Sequence, residues 1–210
     1  MTDTNKTVAE RIHALHKAFG GRAPVAVQAE IGDASVLPAG ATMPDGELLD
    51  VHGAPTTLTA ARRGNPAVVV TYRGAWCPYC NVTLHAYQEQ LVPVLAERGI
   101  ELVAISPQKP DGSLSMTQKN ELSFTVLSDP GNRIAERLGV LTAPGPAERR
   151  IQNSLGIDLT RINADGTDGL PMPTVVLVDS EGVIRWIDVH PDYTTRTEIA
   201  DIIDALDLLG

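Results

Sequence analysis

The chain holds two cysteines, Cys77 and Cys80, in the stretch "VVVTYRGAWCPYCN" from Val68 to Asn81. They lie two residues apart, where a β-branched run gives way to a helical pattern. Pro78 suits the first helical position, where its missing N–H would have no partner anyway. Cys77 is then near the N-cap and Cys80 in the first turn, so both sulfurs meet free backbone N–H groups and the positive end of the helix dipole. Such a setting favours thiolate and can lower a cysteine pKa from about 8.5 into the range ~3.5–7.5. Arg73, four residues before Cys77, adds positive charge. The spacing also lets the sulfurs close into a disulfide, and a sulfenic acid on one could condense with the other. The chemistry on offer is a nucleophile with a resolving partner beside it. Three other readings stay open: a structural zinc site, inert core cysteines and a structural disulfide. Zinc needs two further ligands, and His13, His16, His52, His85 and His190 are scattered along the chain.

The elements that must position this pair follow from periodicity. Val8, Ile12, Leu15 and Phe19 have helical spacing over residues 6–19, with Gly20 and Gly21 as its end. Residues 22–47 read as an irregular linker. "AVVVTY" (67–72) reads as a buried strand. Leu84, Tyr87, Leu91, Val94 and Leu95 mark one face of a helix over 78–98, which Pro93 should kink. "IELVAIS" (100–106) is the next strand and completes a right-handed βαβ unit. A helix over 113–122, a strand over 124–128 and a helix over 132–139 follow. Residues 140–170 hold at most a helix in "GPAERRIQNSLG" and a loop in "NADGTDG". "TVVLVD" (174–179) and "VIRWIDV" (183–189) form a hairpin, and 195–209 is an amphipathic helix capped by Thr194 or Thr195. This pattern predicts an α/β fold with a mixed sheet and helices on both faces.

Composition narrows the function. Lys and Arg total 17 against 26 Asp and Glu, a formal net charge of −9. That balance argues against nucleic acid and anionic membranes as main partners. The N-terminus has no signal-peptide pattern, and no window reaches the roughly 18 apolar residues of a membrane span. The expectation is a cytoplasmic protein, where a cysteine pair is catalytic or metal-binding more often than structural.

"WCPYC" after a buried strand, with a later "MPT" before another, resembles the thioredoxin fold. "MPDGELLDVHGAPTTL", "ELVAISPQ", "FTVLSDPGNRIAERLGV", "MPTVVLVDSEGVIRW" and "DYTTR" (192–196) make roughly residues 40–208 similar to peroxiredoxins of the alkyl hydroperoxide reductase and thiol-specific antioxidant type, in the branch with C-x-x-C. The resemblance implies a thioredoxin-like three-layer sandwich over 36–210; residues 1–35 lie outside it and read as an N-terminal helical extension. It implies a cis Met172–Pro173 bond opposite the cysteines, where residue type alone favours trans. Two departures stand out. The family's Pro-x-x-x-Thr-x-x-Cys places Arg73 at the proline and Cys77 at the threonine, and Pro171, Met172 and Pro173 stand where an arginine is usual. Arg73 is the candidate replacement for that charge.

The resulting expectation is a thiol peroxidase without cofactor or metal. Cys80 attacks hydrogen peroxide or an organic hydroperoxide, Cys77 resolves, and a thioredoxin-like protein reduces the disulfide. Arg73, Trp76, Tyr79 and Pro173 are the expected substrate-binding residues, and a homodimer is allowed by the resemblance. The alternative is a thiol–disulfide oxidoreductase in which an exposed Cys77 attacks a protein disulfide, followed by a redox sensor or a zinc-binding module. His85 is a minor candidate for proton transfer. His13 and His16 are expected on a solvated surface, and Asp192, Tyr193 and Arg196 in a capping and ion-pair role before the last helix.

Overall fold

The computed structural model describes residues 6–19 and 35–210. The expected stop at Gly20–Gly21 and most of the irregular stretch before residue 35 lie outside them.

Helix α1 (Val8–Ala18) starts with a capping box. Thr7 accepts the Glu10 N–H at 3.1 Å, and the Glu10 carboxylate takes the Thr7 N–H at 2.9 Å, which serves two otherwise orphan donors. The short hairpin β1 (Leu48–Leu49) and β2 (Pro55–Thr56) leads to α2 (Leu58–Arg62), and then to β3 (Ala67–Thr71), α3 (Pro78–Ala86), a π-helical turn (Tyr87–Leu91), α4 (Val92–Glu97) and β4 (Glu101–Ser106). After these come α5 (Pro110–Lys119), β5 (Thr125–Ser128), α6 (Arg133–Leu138), β6 (Leu141–Thr142), α7 (Pro146–Ser154), α8 (Leu159–Ile162) and β7 (Leu170–Pro171). The chain closes with β8 (Thr174–Val178), β9 (Ile184–Val189), α9 (Ile199–Ala205) and a 3₁₀ turn (Leu206–Leu209).

Seven strands form one mixed sheet in the order β2-β1-β5-β4-β3-β8-β9. β3, β4 and β5 run parallel, and β8 lies antiparallel to β3 and β9. Every β3 residue is buried, because the strand is covered on both faces. Its alternation divides the core. Val68 and Val70 face a cluster with Leu84, Tyr87 and Ile202, while Ala67 and Val69 face Leu58, Ile134 and Leu138. Helices α1, α3 and α9 thus cover one face and α2 and α6 the other. This is the expected three-layer sandwich. Val8 and Ile12 of α1 belong to the first cluster, so this helix packs into the same core as the cysteine helix.

Three local expectations change. The kink at Pro93 is absorbed as the π-helical turn, and Pro93 sits in the first turn of α4, where its missing N–H costs little. Helix α5 starts at Pro110, three residues early. Helix α9 starts at Ile199, with Glu198 at its N-cap. The Glu198 carboxylate instead accepts the N–H groups of Val8 (2.9 Å) and Ala9 (2.7 Å), which ties the start of α1 to the start of α9. Thr194 and Thr195 therefore do not cap the last helix; they belong to a turn that reaches the cysteines.

Candidate active site

The chain leaves β3 at Thr71 and turns into α3 over six residues. Gly74 has φ +144°, and a Cβ there would meet Trp76 Nε1 at 2.6 Å, so the turn requires glycine. Gln108 anchors the loop: its Oε1 accepts the Ala75 N–H at 2.8 Å and its amide donates to Tyr72 Oη at 2.9 Å. Cys77 is the N-cap of α3, with Pro78 next to it as the first helical residue. Buried Asn81 fixes this cap. Its amide donates to the carbonyls of Ala75 and Cys77, both at 2.8 Å, and its Oδ1 accepts from Asn120 at 3.0 Å.

Both cysteines are 1% exposed. Their environments nevertheless push them apart. Burial raises the Cys80 thiol. That effect is outweighed by a hydrogen bond from Cys77, the charge of Arg196, the backbone N–H of Arg73 and a hydrogen bond from Arg196, so Cys80 lies well below the ordinary cysteine range. Burial raises Cys77 too, and the hydrogen bond it gives Cys80 and the negative charge beside it raise it further, against Arg73 and Arg196. The pair therefore favours a Cys80 thiolate that accepts a hydrogen bond from a Cys77 thiol.

Arg196 Nη2 lies 3.4 Å from Cys80 Sγ. Its Nη1 donates to the carbonyls of Tyr193 and Thr195, so the guanidinium is folded back onto its own turn. A small pocket lies beside Cys80, lined among others by Thr71, Thr83, Thr174, His190 and Arg196, with about 10 Å³ of free volume. That is room for about one water-sized sphere.

The other expected site residues are placed as follows. The Arg73 guanidinium pairs with Glu148 of α7 at 2.5 Å and lies between Trp76 (5.0 Å) and the Tyr193 ring (4.2 Å). Its side chain therefore holds α7 and the 193 turn, and its backbone N–H is what serves Cys80. Tyr79 is buried. Its hydroxyl meets His16 Nε2 at 2.8 Å and its ring meets Tyr193 edge-on. His16 is thus a partner of the cysteine helix, unlike the solvated residue expected. Pro173 lines the Cys80 pocket. The Met172–Pro173 bond is trans, which corrects the cis form that the resemblance implies. Trans is the intrinsic preference of the amide, and the backbone on both sides is satisfied in it: Met172 O takes the hydroxyls of Thr71 (2.8 Å) and Thr174 (3.0 Å), and Pro173 O accepts the His190 N–H at 2.9 Å. His85 pairs with Glu89 at 3.6 Å and does not line the pocket. Among the described residues, no group of three or more His, Cys, Asp or Glu is arranged to hold a metal ion, and no helix is long and apolar enough to cross a membrane.

Sequence reasoning passed over Arg196 as the cation at Cys80. The available signal was "DYTTR", a charged and aromatic cluster directly before the last helix, which on residue types alone reads as a cap.

The chain is 32% identical over 101 residues to the chloroplastic peroxiredoxin Q of Sedum lineare, covering 48% of this chain and 53% of that protein. It is 31% identical over 104 residues to peroxiredoxin Bcp of Escherichia coli, covering 50% of this chain and 65% of that protein. The chain thus spans between half and two thirds of these relatives. The crystal structure of peroxidoxin BcpB from Mycobacterium tuberculosis superposes with a TM-score of 0.62 at 20% identity, over 82% of this chain and 96% of the other, a likeness of fold. The AhpC/TSA family pattern matches residues 39–187. With a match over more than half its length that includes the strand–cysteine–helix unit, this chain belongs to the AhpC/TSA family.

Proposed function

We propose that this protein is a thiol peroxidase in which Cys80 is the nucleophile. The observation that carries the reading is the contact of Cys80 Sγ with Arg196 Nη2 at 3.4 Å; Cys77, at the N-cap of the same helix, supplies the adjacent thiol. The Cys80 thiolate attacks the outer oxygen of a hydroperoxide. The O–O bond breaks, Cys80 becomes a sulfenic acid, and the departing hydroxide or alkoxide takes up a proton. Arg196 stabilises the thiolate and the charge that develops on the leaving oxygen. The Cys77 thiol then condenses with the sulfenic acid, releasing water and forming a redox-active disulfide. A thioredoxin-like dithiol reduces it by exchange. Work in the cytoplasm, where thiols are kept reduced, fits that cycle. The names of the relatives, peroxiredoxin Q and peroxiredoxin Bcp, support the same chemistry.

The thiol–disulfide oxidoreductase reading has less support. It asks Cys77 to be exposed and nucleophilic, whereas Cys77 is as buried as Cys80 and its thiol is pushed up.

Single Cys→Ser variants test the proposal. With hydrogen peroxide and a dimedone-type probe, Cys77→Ser should form a trapped sulfenic acid and Cys80→Ser should form none. Neither variant should turn over with thioredoxin, thioredoxin reductase and NADPH. Sulfenic acid in Cys80→Ser, or insulin disulfide reduction without any peroxide consumption, would overturn it.

A further inference from the structure

The guanidinium of Arg196 reaches Cys80 from a turn, not from a helix or strand, and something must hold that turn. Its own bonds to the carbonyls of Tyr193 and Thr195 mean that the backbone at 193–195 sets where the cation points. The turn is closed by Asp192, whose Oδ1 accepts the Thr194 N–H (2.9 Å) and hydroxyl (2.7 Å), and whose carbonyl accepts the Thr195 hydroxyl (2.9 Å). These bonds shape the turn but do not attach it to the sheet.

Attachment comes from β9 and the residue just beyond it, on both sides of Arg196. Thr197, on the C-terminal side, donates its hydroxyl to Asp188 Oδ2 at 2.8 Å. On the N-terminal side, Thr195 Oγ1 lies 2.7 Å from His190 Nδ1, and His190 Nε2 lies 2.9 Å from the same Asp188 oxygen. One carboxylate thus contacts both neighbours of Arg196, one directly and one through the His190 ring. Tyr87 Oη adds a bond to the Thr197 carbonyl at 2.8 Å. Thr197 is 2% exposed, so this side of the bracket is shielded from competing water.

We propose that Asp188, with His190 and Thr197, forms a positioning bracket that holds Arg196 against Cys80 and so keeps this sulfur a thiolate. The inference rests on the reading of Cys80 as the working thiolate. It assigns function to residues that touch neither sulfur: they act through Arg196. Among the described residues, the titratable and charged groups that face Cys80 are Cys77 on its own helix, Tyr87 in the π-helical turn that follows it, Arg196 and His190 from the β9–α9 connection, and Tyr72 just after β3.

The sign of the effect separates this role from simple electrostatics. Asp188 is an anion on the same side of the molecule as Cys80. Neutralising it, with nothing else changed, makes thiolate easier to form and lowers the Cys80 titration midpoint. Loosening the seat of Arg196 does the opposite.

The test is the thiolate absorbance near 240 nm as a function of pH, which needs no peroxide and no reductant. Asp188→Asn and Thr197→Val should each raise the Cys80 midpoint by about one pH unit, the low end of what an adjacent opposite charge supplies. Thr197→Ser, which keeps the hydroxyl, should titrate as wild type. In an Arg196→Gln background, Asp188→Asn should give no further rise, because the bracket then has nothing to position. A lowered or unmoved midpoint in folded Asp188→Asn, or an equal rise in the Arg196→Gln background, would overturn the proposal. Because peroxide is absent, failure of the peroxidase reading shows up separately: midpoints that move as stated in a protein that does not reduce peroxide would retain the bracket and remove the activity.

Discussion

Replacing Arg196 by Gln should disable Cys80 while leaving the fold intact. A unit charge pair at the observed 3.4 Å is worth about 5 kcal/mol at an effective dielectric near 20. Two features of the structure reduce the net loss. Arg196 is only partly buried, so water can take part of its place, and the Cys77 thiol and the Arg73 N–H still serve the sulfur. A rise of about 1.5 pH units in the Cys80 midpoint is therefore expected, equivalent to about 2 kcal/mol. On the proposed mechanism, peroxide reduction should suffer twice. Less thiolate is present near neutrality, and the donor aimed at the leaving oxygen is gone, so the second-order rate constant should fall about 100-fold. Arg196→Lys should be intermediate: it keeps the charge, but one ammonium cannot hold two carbonyls and the sulfur with the geometry of a planar fork. The assays are a 240 nm titration and stopped-flow reaction with hydrogen peroxide on the same samples, with circular dichroism to show that the fold is kept. A folded Arg196→Gln protein whose midpoint stays within about 0.3 unit of wild type would refute the electrostatic argument, whatever its rate.

Two further outcomes concern the frame around the site. Asn81→Leu leaves the carbonyls of Ala75 and Cys77 without their amide donor and Asn120 without its acceptor on residue 81; urea denaturation should show a loss of about 2–3 kcal/mol, with slower disulfide closure after peroxide as the Cys77 cap loosens. Asp45 accepts the N–H groups of Gly46 and Leu58, each at 2.8 Å, and of Thr59 at 3.2 Å. Burial raises its pKa, but the hydrogen bonds from Thr59, Gly46 and Leu58 outweigh it and the net direction is downward. A carboxylate depressed by folding contributes stability that is present above the ordinary Asp value of about 3.9 and is lost as pH falls through the lower folded value. Asp45→Asn should cost about 1 kcal/mol at neutral pH and should flatten the acid limb of the stability curve. An unchanged acid limb would show that these bonds do not discriminate the charged form.

Much of the frame was legible because its signals are local. The β-branched run "AVVVTY" reads as a buried strand, and β3 is one. Pro78 after Cys77 reads as a helix start, and α3 begins there. Ser180-Glu181-Gly182 between two β-branched runs reads as a hairpin, and β8 and β9 pair antiparallel. The misreadings occur where a tertiary partner competes with a local preference. Thr194 and Thr195 are good helix caps by type, but Asp192 and His190 claim their hydroxyls, so the helix starts four residues later, at Ile199. Pro93 is a helix breaker by type, but a π-helical turn before it places it where no N–H is needed.

The sequence by itself determined the chemistry that is available: two cysteines at a spacing that allows a disulfide, placed at the start of a helix behind a buried strand. These are properties of neighbouring residues, written within fourteen positions. The difference between the two cysteines could not be written there, because the same helix start favours thiolate at both. Only the tertiary structure decided it, by bringing Arg196 across 116 residues to 3.4 Å from Cys80 and by committing Arg73 to Glu148 and Tyr193. A charge a few ångströms from a buried sulfur outweighs any sequence-local preference, since its effect depends on distance and on the exclusion of water, and both exist only once the chain has folded.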